Sequence, residues 1–350
     1  MVIHIVLLLR IEDFEQEEVC VTEVVVRLDS PPVRPSVSRD GIIASVLFCL
    51  ALVAYFTANA RAAHLAQPLP LGLFVLLSGS YLALGVPEIT RRLDATLSRR
   101  IVRIIAGPAV LWSACVIYAA GAGLPIGERG FVFAVYLAIP SLILATGQAK
   151  PGQLPWRELA AAASLGLGVK YHLLPTLPVP APNGYDASRL VGLVAGLYFF
   201  LVARPLAGVG YRWSLTRRDV ATAVLVFVAY AAVALPIGFG THFITWNPRA
   251  VAPTLLLQPL IIYLVTAVPE EFLFRGLIQN LLVRWLSVPL GLAIASVVFG
   301  LSHLPDPRYA ALATIAGFAY GYVYLRTGKV TASAITHALV DAVWVILLHR

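Results

Sequence analysis

Long, uncharged apolar segments recur along this chain from residue 41 to the C-terminus. A run of about 20 apolar residues can cross a hydrocarbon core of about 30 Å as a helix. In lipid, only helices and closed barrels satisfy their own backbone hydrogen bonds. Barrel strands would appear as segments of about 10 residues with alternating polarity, and the sequence has no such pattern. We therefore predict an all-α fold, a polytopic transmembrane helical bundle.

The composition agrees with a membrane protein. Of the 350 residues, 59% are hydrophobic and 13% are charged, whereas a soluble domain has about 25% charged residues. The net charge of +8 would suggest nucleic acid in a soluble protein, but here the basic residues lie in short loops between apolar segments. The expected partner is therefore the lipid bilayer and not nucleic acid. The three cysteines have no paired spacing, so neither a disulfide framework nor a cysteine metal site is indicated.

The apolar segments predict about 9 to 10 spans in two bundles. The expected spans are residues 41–60, 70–88, 101–122, 130–148 and 189–208, followed by 219–238, 254–284, 288–303, 309–325 and 331–348. Residues 158–168 are apolar but too short to count as a span. The predicted organisation is an extramembrane extension (1–40), an N-terminal transmembrane bundle (41–210) and a C-terminal transmembrane bundle (211–350).

Basic residues cluster in three of the loops and predict the orientation of the chain. The clusters are Arg91, Arg92, Arg99 and Arg100; Arg204, Arg212, Arg217 and Arg218; and Arg326 with Lys329. The positive-inside rule places such loops in the cytoplasm. Together with the alanine-rich, lysine-poor composition, this predicts a multi-pass protein of a bacterial inner membrane.

The segment VPEEFLFRGLIQN, residues 268–280, puts two carboxylates and a guanidinium into an apolar helix. An ionised side chain at the bilayer centre costs at least about 2.5 kcal/mol, so such residues usually face the bundle interior and have a function. Residues four apart share a helix face, which pairs Glu271 with Arg275. Glu270 lies about 100° around the helix, so we expect it to meet the substrate or a water. Pro269 predicts a bend or break in this helix.

Two later segments, FGLSH and HALVD, add histidines to otherwise apolar helices. Helical spacing puts Phe299 and His303 on one face, and His337 and Asp341 on one face of the last helix. A partly desolvated glutamate can accept a proton from water and a histidine can polarise or donate, so the set suits hydrolysis. Two histidines and a glutamate also match a catalytic zinc site. Glu270, His303 and His337 are thus candidate ligands for Zn2+ or another divalent metal.

The sequence lacks two other hydrolase signatures, and the same buried residues also allow a second class of function. The sequence has neither H-E-x-x-H nor G-x-S-x-G, so a helical zinc motif and a serine nucleophile elbow are not indicated. A membrane transporter that uses the same residues as a proton or cation relay is the alternative function. A transporter should have related broken helices in both halves, and residues 41–210 contain no counterpart of PEEFLFR. This favours an enzyme.

The ordered segments EEFLFR, FGLSH and HALVD, each on its own apolar helix, resemble the three motifs of the CPBP family of intramembrane proteases. This family includes the CAAX prenyl endopeptidases and the bacteriocin-immunity proteins of the Abi type. The resemblance covers about residues 211–350 and implies an intramembrane endopeptidase that cleaves a membrane-associated peptide or protein. A non-catalytic immunity protein of the same fold is a further alternative.

The resemblance also implies roles for the motif residues. Glu270 would activate the attacking water together with His303, and Glu271 and Arg275 would support Glu270. The family is usually described as metalloproteases, yet the same motif can work as a glutamate-activated water without metal. Both mechanisms stay open at the level of the sequence.

The last motif departs from part of the family. The resemblance implies that His337 and Asp341 stabilise the oxyanion, or that His337 binds a metal. Where this chain has Asp341, the family often has asparagine. An ionised aspartate cannot donate a hydrogen bond to an oxyanion as asparagine can. We therefore expect Asp341 to orient His337.

Overall fold

The computed structural model describes residues 68–97, 99–147, 149, 152–178, 186–248 and 258–349, with a few positions between 43 and 54. Within them the chain is helical apart from one short two-stranded sheet and a single bridge, which agrees with the predicted all-α class. The predicted extension 1–40 and most of the predicted span 41–60 lie outside the described residues.

The N-terminal half packs its helices side by side. They are α1 (Pro68–Ala83), α2 (Pro87–Thr96), α3 (Arg100–Gly121), α4 (Ile126–Ala145), α5 (Trp156–Lys170) and α6 (Ser188–Tyr198), which continues as a π-helical turn, Phe199–Ala203. Neighbours in sequence from α3 to α6 are in contact, and α1 packs against α3 and α6. A bend of 100° separates α1 from α2.

The C-terminal half starts with α7 (Arg217–Gly240) and ends with three consecutive helices, α11 (Val288–Leu301), α12 (Pro307–Thr327) and α13 (Val330–Leu347). A helix that we call the motif helix, residues 258–285, lies between α7 and α11. It consists of α8 (Gln258–Ile262), α9 (Val268–Glu271) and α10 (Asn280–Trp285), joined by the π-helical stretches Tyr263–Ala267 and Phe272–Gln279. Helices α11 and α13 both pack against the motif helix, which positions the three sequence motifs side by side.

The motif helix continues without a break through Pro269, where the sequence left a break possible. Proline has no amide hydrogen. At the end of the preceding π-helical turn, the amide of Val268 donates to the Tyr263 carbonyl, five residues back, and the same spacing from Pro269 leads to Leu264. The hydroxyl of Tyr81 in α1 donates to this carbonyl at 3.1 Å. A side chain from the N-terminal half thus satisfies the acceptor that Pro269 leaves without a donor, and the helix stays continuous.

The number of membrane spans is lower than expected among the described residues. Four helices, α3, α4, α7 and α13, are long and apolar enough to cross a membrane, and the bent pair α1 and α2 would make five. The predicted 9 to 10 spans are therefore not confirmed. Some predicted spans are shorter than their apolar segments suggested: α11 has 14 residues, a length of about 21 Å.

One apolar core joins the two halves of the described chain. Its buried side chains run from Leu73 in α1 to Ala338 in α13 and include Phe272 of the motif helix. The hydroxyl of Tyr211 also donates to the Tyr81 carbonyl at 2.7 Å. The predicted boundary between two bundles, at residues 210 and 211, stays a prediction. Helices from both sides of this boundary contribute to the same apolar core.

The segments that carry the three basic clusters meet at one end of the bundle. The amide of Val330 donates to the Gly210 carbonyl at 3.1 Å, and Lys329 forms an ion pair with Asp219 at 2.6 Å. Trp213 packs against Gly85, in the turn between α1 and α2. At the other end of α13, strand β2 (Leu348–His349) pairs antiparallel with β1 (Thr245–Trp246).

Candidate active site

Glu271 is fully buried, and its carboxylate has three partners. Oε1 accepts a hydrogen bond from Nδ1 of His337 at 2.9 Å. Oε2 accepts one from the Ser333 hydroxyl at 2.6 Å and lies 3.0 Å from Nε of Arg275. A carboxylate removed from water needs such partners, because a buried charge without them is strongly destabilising. The pair of Glu271 with Arg275 inferred from helical spacing is therefore present, with two further partners.

The guanidinium of Arg275 is fully buried among aromatic rings. Its carbon lies 4.6 Å from the ring centroid of Phe299, 5.5 Å from that of Tyr320 and 5.9 Å from that of Phe274. Nη1 and Nη2 have no hydrogen-bond partner within the described part of the chain. Attraction between the cation and the ring faces therefore stabilises this end of the side chain, and Arg275 is held away from solvent.

Glu270 has a different environment from its neighbour. Its side chain is 40% exposed, whereas that of Glu271 is 0% exposed. Oε2 of Glu270 lies 3.9 Å from Nε2 of His337, and Oδ2 of Asp341 lies 3.5 Å from the same nitrogen. The accessible carboxylate, the imidazole edge and the second carboxylate therefore face one space at the surface of the motif helix.

His337 is fixed in orientation by its ring nitrogens and by its ring face. Since an ionised carboxylate only accepts hydrogen bonds, Nδ1 carries the hydrogen that is donated to Glu271, and Nε2 points toward Glu270 and Asp341. The imidazole stacks on Tyr320 with ring centroids 4.6 Å apart and planes 15° apart. These contacts leave Nε2 as the nitrogen that can act on a bound molecule.

The ring of Phe299 lies between His303 and His337. The Phe299 ring contacts both His303, at 4.8 Å, and His337, at 5.8 Å between centroids. Nδ1 of His303 is 2.8 Å from the Phe299 carbonyl, which can only accept, so Nε2 is the free nitrogen. The structure thus brings Glu270, Glu271, Arg275, His337 and Asp341 into direct contact and places His303 next to them through Phe299.

Three side chains at the site were not among the residues chosen from the sequence. Ser333 lies four residues before His337 in α13, so helical spacing could have revealed it. Tyr320, which stacks on His337, and Lys170, which donates to the Ser302 carbonyl at 2.7 Å, come from other helices. Only tertiary packing brings these two side chains to the site, and the sequence contains no local signal for them.

The candidate metal ligands do not form a metal-binding group in the structure. Within the described residues, no set of three or more His, Cys, Asp and Glu side chains is arranged to hold a metal ion. Nδ1 of His337 and Nδ1 of His303 are bonded to Glu271 and to the Phe299 carbonyl, which leaves Nε2 of each ring as the atom that could bind a metal. Metal binding by Glu270, His303 and His337 stays a prediction.

Comparison with known proteins gives one family match. Residues 252–343 match the family described as Type II CAAX prenyl endopeptidase Rce1-like. No curated protein and no solved structure matches the chain. The matched segment contains all six motif residues and confirms the relationship to CAAX proteases that the motifs indicated.

Proposed function

We propose, from the match of residues 252–343 to the type II CAAX prenyl endopeptidases, that the chain is an integral-membrane endopeptidase that uses a water activated by Glu270. The observation that carries this proposal is the contrast between two adjacent glutamates. Glu271 is buried and its oxygens are taken by protein partners, whereas Glu270 is accessible and faces Nε2 of His337. Only an accessible carboxylate can meet a water and take its proton.

The proposed reaction is a hydrolysis in two steps. The water oxygen bonds to the carbonyl carbon of the scissile peptide while Glu270 takes a proton from the water. Nε2 of His303 accepts a hydrogen bond from the same water and orients it. The proton on Glu270 then passes to the peptide nitrogen, the carbon–nitrogen bond breaks, and the products are a carboxylic acid and an amine.

His337 is proposed to stabilise the oxyanion that forms on the peptide oxygen. The carboxylates of Glu270, Glu271 and Asp341 around the ring favour the imidazolium form, in which both ring nitrogens carry a hydrogen. Nδ1–H is then held by Glu271, and Nε2–H is the donor beside Glu270. A donor already held in place stabilises developing charge without reorganisation. Asp341 lies on the Nε2 side of the ring, and when ionised it accepts hydrogen bonds only. We therefore assign it to orienting His337 and not to the oxyanion.

The proposed substrate is a membrane-associated or membrane-delivered peptide. The helices long enough to cross a membrane support a substrate that reaches the site at the bilayer. The family match is to endopeptidases, so it supports this function over the transporter alternative. No step of the proposed reaction is assigned to a metal.

The proposal is tested with purified full-length protein, Glu270→Gln and His303→Ala on a library of peptides in lipid vesicles. Loss of general base catalysis should lower the rate of cleavage by about 10²- to 10⁴-fold for Glu270→Gln. Glu128→Gln, at an exposed acidic residue in the first turn of α4, is the matched control and should cleave as the wild type does. Cleavage by Glu270→Gln at the wild-type rate would refute the assigned base.

Metal dependence is tested in the same assay. The wild-type protein is treated with a chelator, and its metal content is measured. Cleavage that persists in protein without metal supports the metal-free mechanism. Cleavage that is lost and then restored by Zn2+ alone would instead support the predicted metal role of Glu270, His303 and His337.

A further inference from the structure

We propose that Lys170, at the end of α5 in the N-terminal half, is a positioning residue that holds His303 in the active site. This inference rests on the proposed function. Lys170 lies outside residues 252–343, the segment that matches the endopeptidase family, so the proposal adds a residue from the N-terminal half to the site. The ammonium of Lys170 donates a hydrogen bond to the Ser302 carbonyl at 2.7 Å, and Ser302 directly precedes His303.

The contact falls where the end of a helix needs a donor. The last carbonyls of an α-helix have no amide partner within the helix, and cations are favourable at this end. Helix α11 ends at Leu301, so the Ser302 carbonyl lies just beyond its last turn. Lys170 therefore supplies, from another helix, both a hydrogen and a positive charge at this position.

His303 is attached to the same turn. Its Nδ1 is bonded to the Phe299 carbonyl, and the Ser302 hydroxyl donates to that carbonyl at 2.7 Å. The imidazole is thus oriented by the backbone of this turn, and its ring also contacts that of Tyr309 with centroids 4.6 Å apart. Anything that anchors the turn also sets the position of Nε2 of His303.

Helix α5, which carries Lys170, packs directly on the motif helix. Helix α5 packs on the motif helix so closely that a Cβ added to Gly166 would lie 2.8 Å from Cδ2 of Leu273. The C-terminal part of α5 therefore contacts both the turn that carries His303 and the helix that carries Glu270.

The first test measures whether Lys170 stabilises the turn that carries His303, and it does not depend on catalysis. Hydrogen exchange is compared for wild type, Lys170→Met and Arg157→Met, a control at the opposite end of the same helix. The amides of Ser302, His303 and Leu304 bond within this turn, and they should exchange faster in Lys170→Met only. Equal exchange in all three proteins would overturn the proposal.

The second test measures peptide cleavage. Lys170→Met should lower kcat by about 10²-fold, because small displacements of a catalytic group have effects of this size, with little change in KM. Lys170→Arg, which keeps the cation, should recover most of the rate. Lys170→Cys should be slow and should recover when its thiol is aminoethylated, since this restores an ammonium. A rate for Lys170→Met equal to wild type, or no recovery with either restored cation, would overturn the positioning role.

The two tests separate this inference from the proposed function. If the wild type cleaves no peptide, the proposed function fails, and hydrogen exchange still decides whether Lys170 anchors the turn. If the wild type cleaves and Lys170→Met matches it in both rate and exchange, the proposed function stands and the role of Lys170 is refuted. Wild-type protein treated with the aminoethylating reagent controls for the native cysteines.

Discussion

At the scale of single residues, the carboxylates of Glu270 and Glu271 differ in what surrounds them. Glu271 accepts hydrogen bonds from Ser333 and His337 and pairs with Arg275 out of contact with water. Glu270 keeps an exposed surface and has no cationic partner on its own helix face. The two residues should therefore affect different measurable properties when each is changed to glutamine.

We expect Glu271→Gln to lower stability much more than Glu270→Gln. Removing one member of a buried ion pair costs about 3 to 5 kcal/mol, because the guanidinium of Arg275 is left buried without a counter-charge. Substitution of the partly exposed Glu270 should change the free energy of unfolding by less than about 0.5 kcal/mol. The measurement is denaturant unfolding of both variants in the same detergent. Equal losses of stability would contradict the different burial of the two side chains.

Helical spacing identified part of this site because the relevant segments are helices. It paired Glu271 with Arg275 and His337 with Asp341, and both pairs are in contact. Tyr320 could not be found in this way, because nothing local to its sequence shows that it will stack on an imidazole from α13. Helical periodicity relates residues of the same helix, so it cannot identify residues that only tertiary packing brings to the site.

At the scale of helices, the motif helix depends on a side chain from another helix. Pro269 removes a donor, and the Tyr81 hydroxyl replaces it at the Leu264 carbonyl. A polar group left without a partner inside a membrane protein is costly, and neighbouring side chains commonly satisfy the groups that proline frees. The contact with α1 therefore supplies a hydrogen-bond donor to the motif helix near Pro269.

We expect Tyr81→Phe to destabilise the protein by about 1 to 3 kcal/mol, the cost of an unsatisfied buried acceptor. In a Pro269→Ala background the backbone regains an amide hydrogen, so the same substitution should cost less. A double-mutant cycle in denaturant unfolding measures this difference as a coupling energy. Tyr322→Phe, at an exposed tyrosine of α12, is the control. A coupling energy of zero would show that Tyr81 does not replace the amide.

The predicted span count assumed that every apolar segment forms one full crossing, and the described residues do not confirm it. Hydropathy marks residues 254–284 as a single span, but it does not show the two π-helical stretches within it. It also counted residues 288–303, where the helix itself is only 14 residues long. The all-α class follows from the length of the apolar segments and the absence of alternating polarity, whereas helix lengths depend on caps and backbone geometry that hydropathy does not record.

At the scale of the whole molecule, the segments with the basic clusters lie at one end of the bundle and strand β1 lies at the other. Helix α7 runs once between these ends, from Arg217 to Gly240. The positive-inside rule then predicts that the basic end faces the cytoplasm. Because the apolar core extends from α1 to α13, we expect both halves to share one orientation.

Cysteine labelling should report this orientation. We expect cysteines at the exposed positions Arg92 and Ser214 to react with an impermeant maleimide from the cytoplasmic side only. A cysteine at Trp246 in β1, which is also exposed, should react from the opposite side only. The native cysteines are first replaced by serine. Labelling of all three positions from one side would contradict a single membrane crossing by α7.

The ion pair of Glu271 with Arg275 also has a consequence for the order in which the protein is made. Its members are four residues apart, whereas Ser333 and His337 follow Glu271 by 62 and 66 residues. At about 5 to 20 residues per second, translation reaches His337 roughly 3 to 13 seconds after Glu271. During that interval the carboxylate already has its guanidinium within the same helix. The buried carboxylate of the motif helix can therefore enter the membrane already paired with a cation, and His337 joins it afterwards.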